Sequence, residues 1–154
     1  MPFYQFDASG IVKRYVDETG SDWVRALVDP AAGNVVSIAD ITRAEVASAV
    51  SRRAREGSIT PDESVRLIRA FEAHCVTQFR VVPAEHIVID LAVDLIQRYP
   101  LRAYDAVQLA AAVLVNRSLV AHGLPALVFV SADDSLRIAA QAEGLPVENP
   151  NWYP

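Results

Sequence analysis

Residues 126–133 read Ala126-Leu127-Val128-Phe129-Val130-Ser131-Ala132-Asp133. The first five are apolar without interruption, the pattern of a strand covered on both faces, as in a parallel sheet flanked by helices. Ser131 then opens the last helix. At the other end of the chain, Phe3-Tyr4-Gln5-Phe6 is a second short strand ending in the polar turn Asp7-Ala8-Ser9-Gly10, with a helix expected from Ile11 to Val16. Trp23, Val24, Leu27 and Val28 mark an amphipathic stretch, and Asn34–Ile38 and Phe79–Val82 read as further strands. Asp40–Glu56 is helical, and Thr60-Pro61-Asp62-Glu63 combines an N-cap, a first-turn proline and a capping-box acid for a second helix running to about Cys75. Another helix is expected from about Ala84 to Tyr99, closed by Pro100. Ala106–Val115, apolar on nearly every side apart from Gln108, predicts a buried central helix. Strands alternating with helices argue for a three-layer α/β/α sandwich around a mostly parallel sheet of four to five strands. The expected organisation is one domain over residues 1–154, with a helical pair at about 40–75.

At 154 residues, 52% hydrophobic and 21% charged, the chain can bury a core of its own. One cysteine, Cys75, excludes an internal disulfide and a thiolate zinc cluster. No apolar run is long enough to cross a bilayer and no basic-then-apolar leader opens the chain, so a cytoplasmic setting is expected. The net charge of −5 argues against a protein that grips nucleic acid through a broad basic surface. It leaves room for one that does so through cations neutralising local carboxylates.

In an open parallel sheet, ligands bind beyond the carboxyl ends of the strands. Asp7 and Asp133 each follow an apolar strand closely, Asp105 sits in the first turn of the buried helix, and Glu45 lies between Ile41 and Ala49 on a partly apolar helix flank. Brought to one rim, such acids would repel by roughly 4 kcal/mol per close pair at an effective dielectric of about 20. A cation must then sit among them. Lys13 is the only lysine, and oxygen-only donors favour Mg²⁺ or Mn²⁺. Such ions suit phosphodiester hydrolysis. Each acid also has an ordinary reading: Asp7 or Asp105 as a helix N-terminal group, Asp134 as the capping-box partner of Ser131, Glu45 as an ion-pair partner of Arg52. Arg43, Arg52, Arg53 and Arg55 share the helix of Glu45 and could guide a phosphate backbone. His74, His86 and His122 are scattered among unrelated segments.

The chain resembles the PIN domain, and in particular the VapC-like toxins of type II toxin–antitoxin pairs. The resemblance rests on Phe6-Asp7-Ala8-Ser9 with Val12-Lys13-Arg14-Tyr15, Arg43-Ala44-Glu45-Val46, Leu101-Arg102-Ala103-Tyr104-Asp105-Ala106 and Phe129-Val130-Ser131-Ala132-Asp133, in that order over nearly the whole chain. It implies an acidic quartet of Asp7, Glu45, Asp105 and Asp133 that holds Mg²⁺ or Mn²⁺ and catalyses endoribonucleolytic cleavage. Ser9 and Ser131 would assist through their hydroxyls. It further implies an RNA substrate, a homodimer and a small antitoxin; Arg43 and Arg52 are the side chains expected to contact the RNA, and the helical pair is the expected docking surface for the antitoxin.

Two rival readings are an aspartyl-phosphate protein and a catalytically silent PIN-like binding module. A haloacid-dehalogenase-type phosphatase needs an aspartate where this chain has Ser9, and a receiver domain needs a lysine late in the chain, where none occurs. The four acids together speak against the silent module.

Overall fold

The chain is described over residues 1–154 by a computed structural model. Its strands are short and rich in β-branched and aromatic residues: β1 (Phe3–Phe6), β2 (Val35–Ala39), β3 (Arg80–Val82), β4 (Val128–Val130) and β5 (Val147–Glu148). They pair in the order β3-β2-β1-β4-β5, and every pairing is parallel. The chain builds outward from β1 through β2 to β3, then returns to the other side of β1 for β4. The gap between the carboxyl ends of β1 and β4 is therefore the topological switch point, where open α/β sheets place their ligands.

Helices cover both faces. Side chains alternate along each strand, so Phe6, Ile38, Val36 and Val130 pack against α1 (Ala8–Ile11), α2 (Ser21–Val28), α3 (Ile41–Arg55) and α4 (Pro61–Thr77). Ala39, Leu127 and Phe129 pack on the opposite face with α5 (His86–Arg98), α6 (Ala103–Ala121) and α7 (Asp134–Ala142). Helix α6 is the axle of that second layer: Ala106, Leu109, Ala110, Ala111 and Ala112 are fully buried, and the run of alanines lets its backbone approach the sheet closely. The expected three-layer sandwich is what forms, with α3 and α4 as its helical pair. Thr60 and Glu63 form the expected capping box at the start of α4.

Two local expectations change. Asp7 caps the first helical segment, drawing its start back to Ala8, and the chain then tightens into a 3-10 turn at Val12–Arg14 in place of a helix to Val16. In that turn Lys13 is buried, its Nζ held by Glu18 at 2.9 Å and by the Thr19 carbonyl at 2.8 Å. The last helix begins at Asp134, with Asp133 as the N-cap in place of a Ser131–Asp134 capping box. Strand β5 was invisible to periodicity because it is only two residues long.

Candidate active site

Asp7 extends β1 by donating its backbone N–H to the Val130 carbonyl of β4 at 3.1 Å. Its Oδ1 accepts from the Gly10 N–H at 2.8 Å, which caps α1. Ser9 Oγ stands 2.8 and 2.9 Å from the two carboxylate oxygens, and Ser131 Oγ donates to Oδ2 at 2.6 Å. The two hydroxyls accept in turn from backbone N–H groups of the β4–α7 turn, Ser9 from Ala132 at 2.9 Å and Ser131 from Asp133 at 3.1 Å. The carboxylate is thus the knot that ties the end of β1 to the end of β4. It is only 4% exposed. Burial pushes its pKa up to about 6, against the pull of the Ser131, Ser9 and Gly10 hydrogen bonds, and the Asp105 charge adds to the rise. Gly10 makes the close approach possible, since a Cβ there would stand 3.0 Å from the Val130 carbonyl oxygen and 3.1 Å from the Phe6 ring.

Glu45 reaches the same place from α3. Desolvation is the main cause that raises its pKa to about 7, with the Asp105 and Asp7 charges contributing, while the Gln108 side chain, donating to Oε2 at 3.3 Å, works the other way. Its other oxygen, Oε1, is buried with no hydrogen-bond partner. Asp105, in the first turn of α6, is half-buried; burial raises its pKa, the Asp133 charge raises it further and Arg102 opposes both. Asp133 is exposed, and its Oδ1 accepts from Leu136 N at 2.9 Å as the cap of α7.

These groups border one cleft of about 820 Å³, lined among others by Ser9, Glu45, Arg52, Arg102, Asp105 and Asp133. Asp7 lies behind Ser9 and is not part of the wall. Of the four acids predicted from sequence, Glu45, Asp105 and Asp133 line the cleft and Asp7 is buried behind it, with the Asp105 charge bearing on Asp7 and Glu45 and the Asp133 charge bearing on Asp105. The serines are placed differently from expectation: Ser131 is fully buried and spends its hydroxyl on Asp7, and Ser9 holds Asp7 while also reaching the cleft. Arg43 is drawn away from the cleft to Glu72 at 2.6 Å and Asp40 at 3.2 Å, because α4 packs beside α3 and presents Glu72 to it. Arg53 pairs with Glu18. Arg52 lines the cleft with no ion pair, so Glu45 is not its partner. Arg102 also lines it unpaired and was missed from sequence, although its place three residues before Asp105 was the available signal. No histidine lines the cleft; His74, for one, shares a 2.7 Å hydrogen bond with the Tyr15 hydroxyl.

No three of the acids, and no histidine or cysteine with them, are gathered into a ready-made cage for one ion. What converges is charge rather than a closed coordination shell. That arrangement fits a hard cation such as Mg²⁺, which keeps several waters and takes one or two carboxylates together with substrate phosphates. The buried, partnerless Glu45 Oε1 beside two other acids is the observation that fits the group.

The PIN domain family profile matches residues 4–140. Ribonuclease VapC45 of Mycobacterium tuberculosis (strain CDC 1551 / Oshkosh) is 33% identical over 147 residues, which cover 96% of this chain and 95% of that protein. Among solved structures, VapBC2 from Rickettsia felis bound to a DNA fragment from their promoter superposes with a TM-score of 0.64 at 14% identity, covering 96% of this chain and 98% of that one. A toxin–antitoxin complex from Klebsiella pneumoniae gives a TM-score of 0.57 at 20% identity, over 96% and 97% of the two chains. At such identities the structural likeness speaks for the fold alone. With the profile covering most of the chain and a third of the residues shared with a relative along nearly its full length, this chain belongs to the PIN-domain family.

Proposed function

We propose that the chain is an endoribonuclease that hydrolyses RNA phosphodiester bonds with Mg²⁺ or Mn²⁺, and that it is the toxin of a toxin–antitoxin pair. The observation that carries the chemistry is Glu45 Oε1, a buried carboxylate oxygen without a donor, on a residue that lines the cleft together with Asp105 and Asp133 and lies near Asp7. Glu45 and Asp105 would hold the cation directly, with Asp7 behind them and Asp133 at the outer edge acting on it through charge and through its waters. When bound, a hard divalent cation polarises the scissile phosphate and neutralises charge that builds up during in-line displacement.

The protein's own residues do the rest. Ser9, Ser131 and the Gly10 N–H fix the Asp7 carboxylate so that it cannot turn away as the site fills. Arg52 and Arg102, both unpaired on the cleft wall, would each take a phosphate flanking the scissile one. The reaction itself joins a water oxygen to phosphorus and expels one ester oxygen, which leaves protonated.

As partners we propose a second copy of this chain and a small antitoxin docked on the pair α3 and α4. The toxin–antitoxin complex from Klebsiella pneumoniae among the structural neighbours supports an antitoxin partner, and its docking on α3 and α4 is part of the proposal. No helix is long and apolar enough to cross a membrane. The test is cleavage of a structured RNA by the purified protein with Mg²⁺, with Mn²⁺ and with EDTA, set beside Asp105→Asn. Cleavage should need the metal and vanish in the variant; full activity in EDTA or in Asp105→Asn would refute the assignment. Titration with the product of the neighbouring open reading frame checks the antitoxin, and absence of a complex would count against it.

A further inference from the structure

Gln108 is the one polar side chain in an otherwise apolar stretch of α6, and it is fully buried. Burying a primary amide is unfavourable unless its hydrogen bonds are met, and Leu or Met would fill the same volume without that cost. Attachment of α6 to the sheet does not explain the amide. That task falls to Gln5 of β1, also fully buried, whose Nε2 donates to the Gln108 backbone carbonyl at 3.3 Å while its Oε1 accepts from Ser37 of β2 at 3.2 Å. The Gln108 side chain is left with two partners, both on α3. Thr42 Oγ1, fully buried, donates to Oε1 at 2.8 Å, and Nε2 donates to Glu45 Oε2 at 3.3 Å.

The Glu45 carboxylate, which when ionised can only accept, sets which way round the amide lies: the N–H faces Glu45, and the amide oxygen then takes the hydrogen bond of the Thr42 hydroxyl. One Glu45 oxygen is tied down and the other, Oε1, stands free of any protein donor. We infer that Gln108 is a positioning residue that, its amide oxygen held by Thr42, fixes Glu45 as a one-oxygen donor to the divalent cation. The inference rests on the metal site proposed above. It also explains the spacing on α6: Gln108 lies one turn beyond Asp105, so one helix contributes an acid to the cleft and the clamp for a second acid from α3.

The experiment is calorimetric titration of Mn²⁺ into the metal-free full chain for wild type, Glu45→Gln, Gln108→Leu, Thr42→Val, and each of the last two combined with Glu45→Gln. RNA cleavage kinetics accompany the single variants. Gln108→Leu should weaken Mn²⁺ binding on the order of tenfold, the usual scale for removing a hydrogen-bond partner of a metal ligand. Its kcat should fall with KM for RNA unchanged. Thr42→Val should show a smaller loss in the same direction. In the Glu45→Gln background neither should cause further loss. Wild-type Mn²⁺ affinity in Gln108→Leu, or the same fold-loss with and without Glu45, would overturn the inference and reduce Gln108 to packing. If Gln108→Leu does not fold, Thr42→Val decides, and unchanged affinity there overturns it equally. A wild-type protein that binds no Mn²⁺ refutes the metal site and this inference with it. Binding that Glu45→Gln weakens upholds the metal site whatever Gln108 does.

Discussion

Replacing Asp7 with asparagine should abolish RNA cleavage and at the same time make the metal-free protein more stable at neutral pH. The folded protein holds the Asp7 proton more tightly than the unfolded chain does, the pKa rising from 3.8 to about 6 through burial. At about 1.4 kcal/mol for each tenfold change in proton affinity, keeping the carboxylate ionised in the fold costs about 3 kcal/mol. Because the native state binds more protons than the unfolded state between those two values, wild-type stability falls as pH rises through that window and levels off above it. Asparagine does not titrate, so it escapes the loss. The stability of Asp7→Asn relative to wild type should therefore increase by about 2 kcal/mol between pH 4.5 and 7.5. Part of the gain is offset, because an amide presents one acceptor oxygen where the carboxylate served Ser9, Ser131 and the Gly10 N–H, a deficit of about 1–2 kcal/mol at every pH. The assay is urea unfolding of both proteins in EDTA at a series of pH values. A stability difference that stays flat, or that shrinks as pH rises, would refute the reasoning. Adding Mg²⁺ should restore wild-type stability by mass action and leave the variant unmoved.

The same geometry makes four further predictions. Gly10→Ala sets a methyl group 3.0 Å from a backbone oxygen and 3.1 Å from the Phe6 ring, and should lower stability by about 1–3 kcal/mol in thermal unfolding, with cleavage reduced as Asp7 shifts. Ser131→Ala removes a 2.6 Å donor to Asp7 and the acceptor for the Asp133 N–H; a loss of about 1–3 kcal/mol should appear in urea unfolding. Arg52→Ala and Arg102→Ala should each raise KM for RNA and shallow its salt dependence, by about 0.7 of a log–log unit for every single-strand phosphate left without its arginine. Arg43→Ala, whose guanidinium is engaged by Glu72 and Asp40 at the surface, should leave KM unchanged and cost under about 1 kcal/mol in stability.

The class of fold and the candidate acids are legible in the order of residues along the chain. Strand and helix periodicities differ enough that β1, β2, β3 and β4 and the helices between them can be read from hydrophobic spacing alone. A parallel sheet then restricts ligands to its carboxyl-end rim, where Asp7 and Asp133 follow their strands. What periodicity does not encode is which groups hydrogen-bond to one another across the chain. Ser9 and Ser131 lie 122 residues apart and become two arms of one clamp only because β1 and β4 pair. Arg43 and Arg52 look alike on paper, yet the packing of α4 against α3 hands one to Glu72 and leaves the other on the cleft wall. Gln108 stood out in the sequence only as a polar interruption of an apolar helix. That it faces Thr42 and Glu45 depends on how α6 crosses α3, and tertiary packing alone sets that crossing, because the side chains on each helix bury their area against partners far away in the chain.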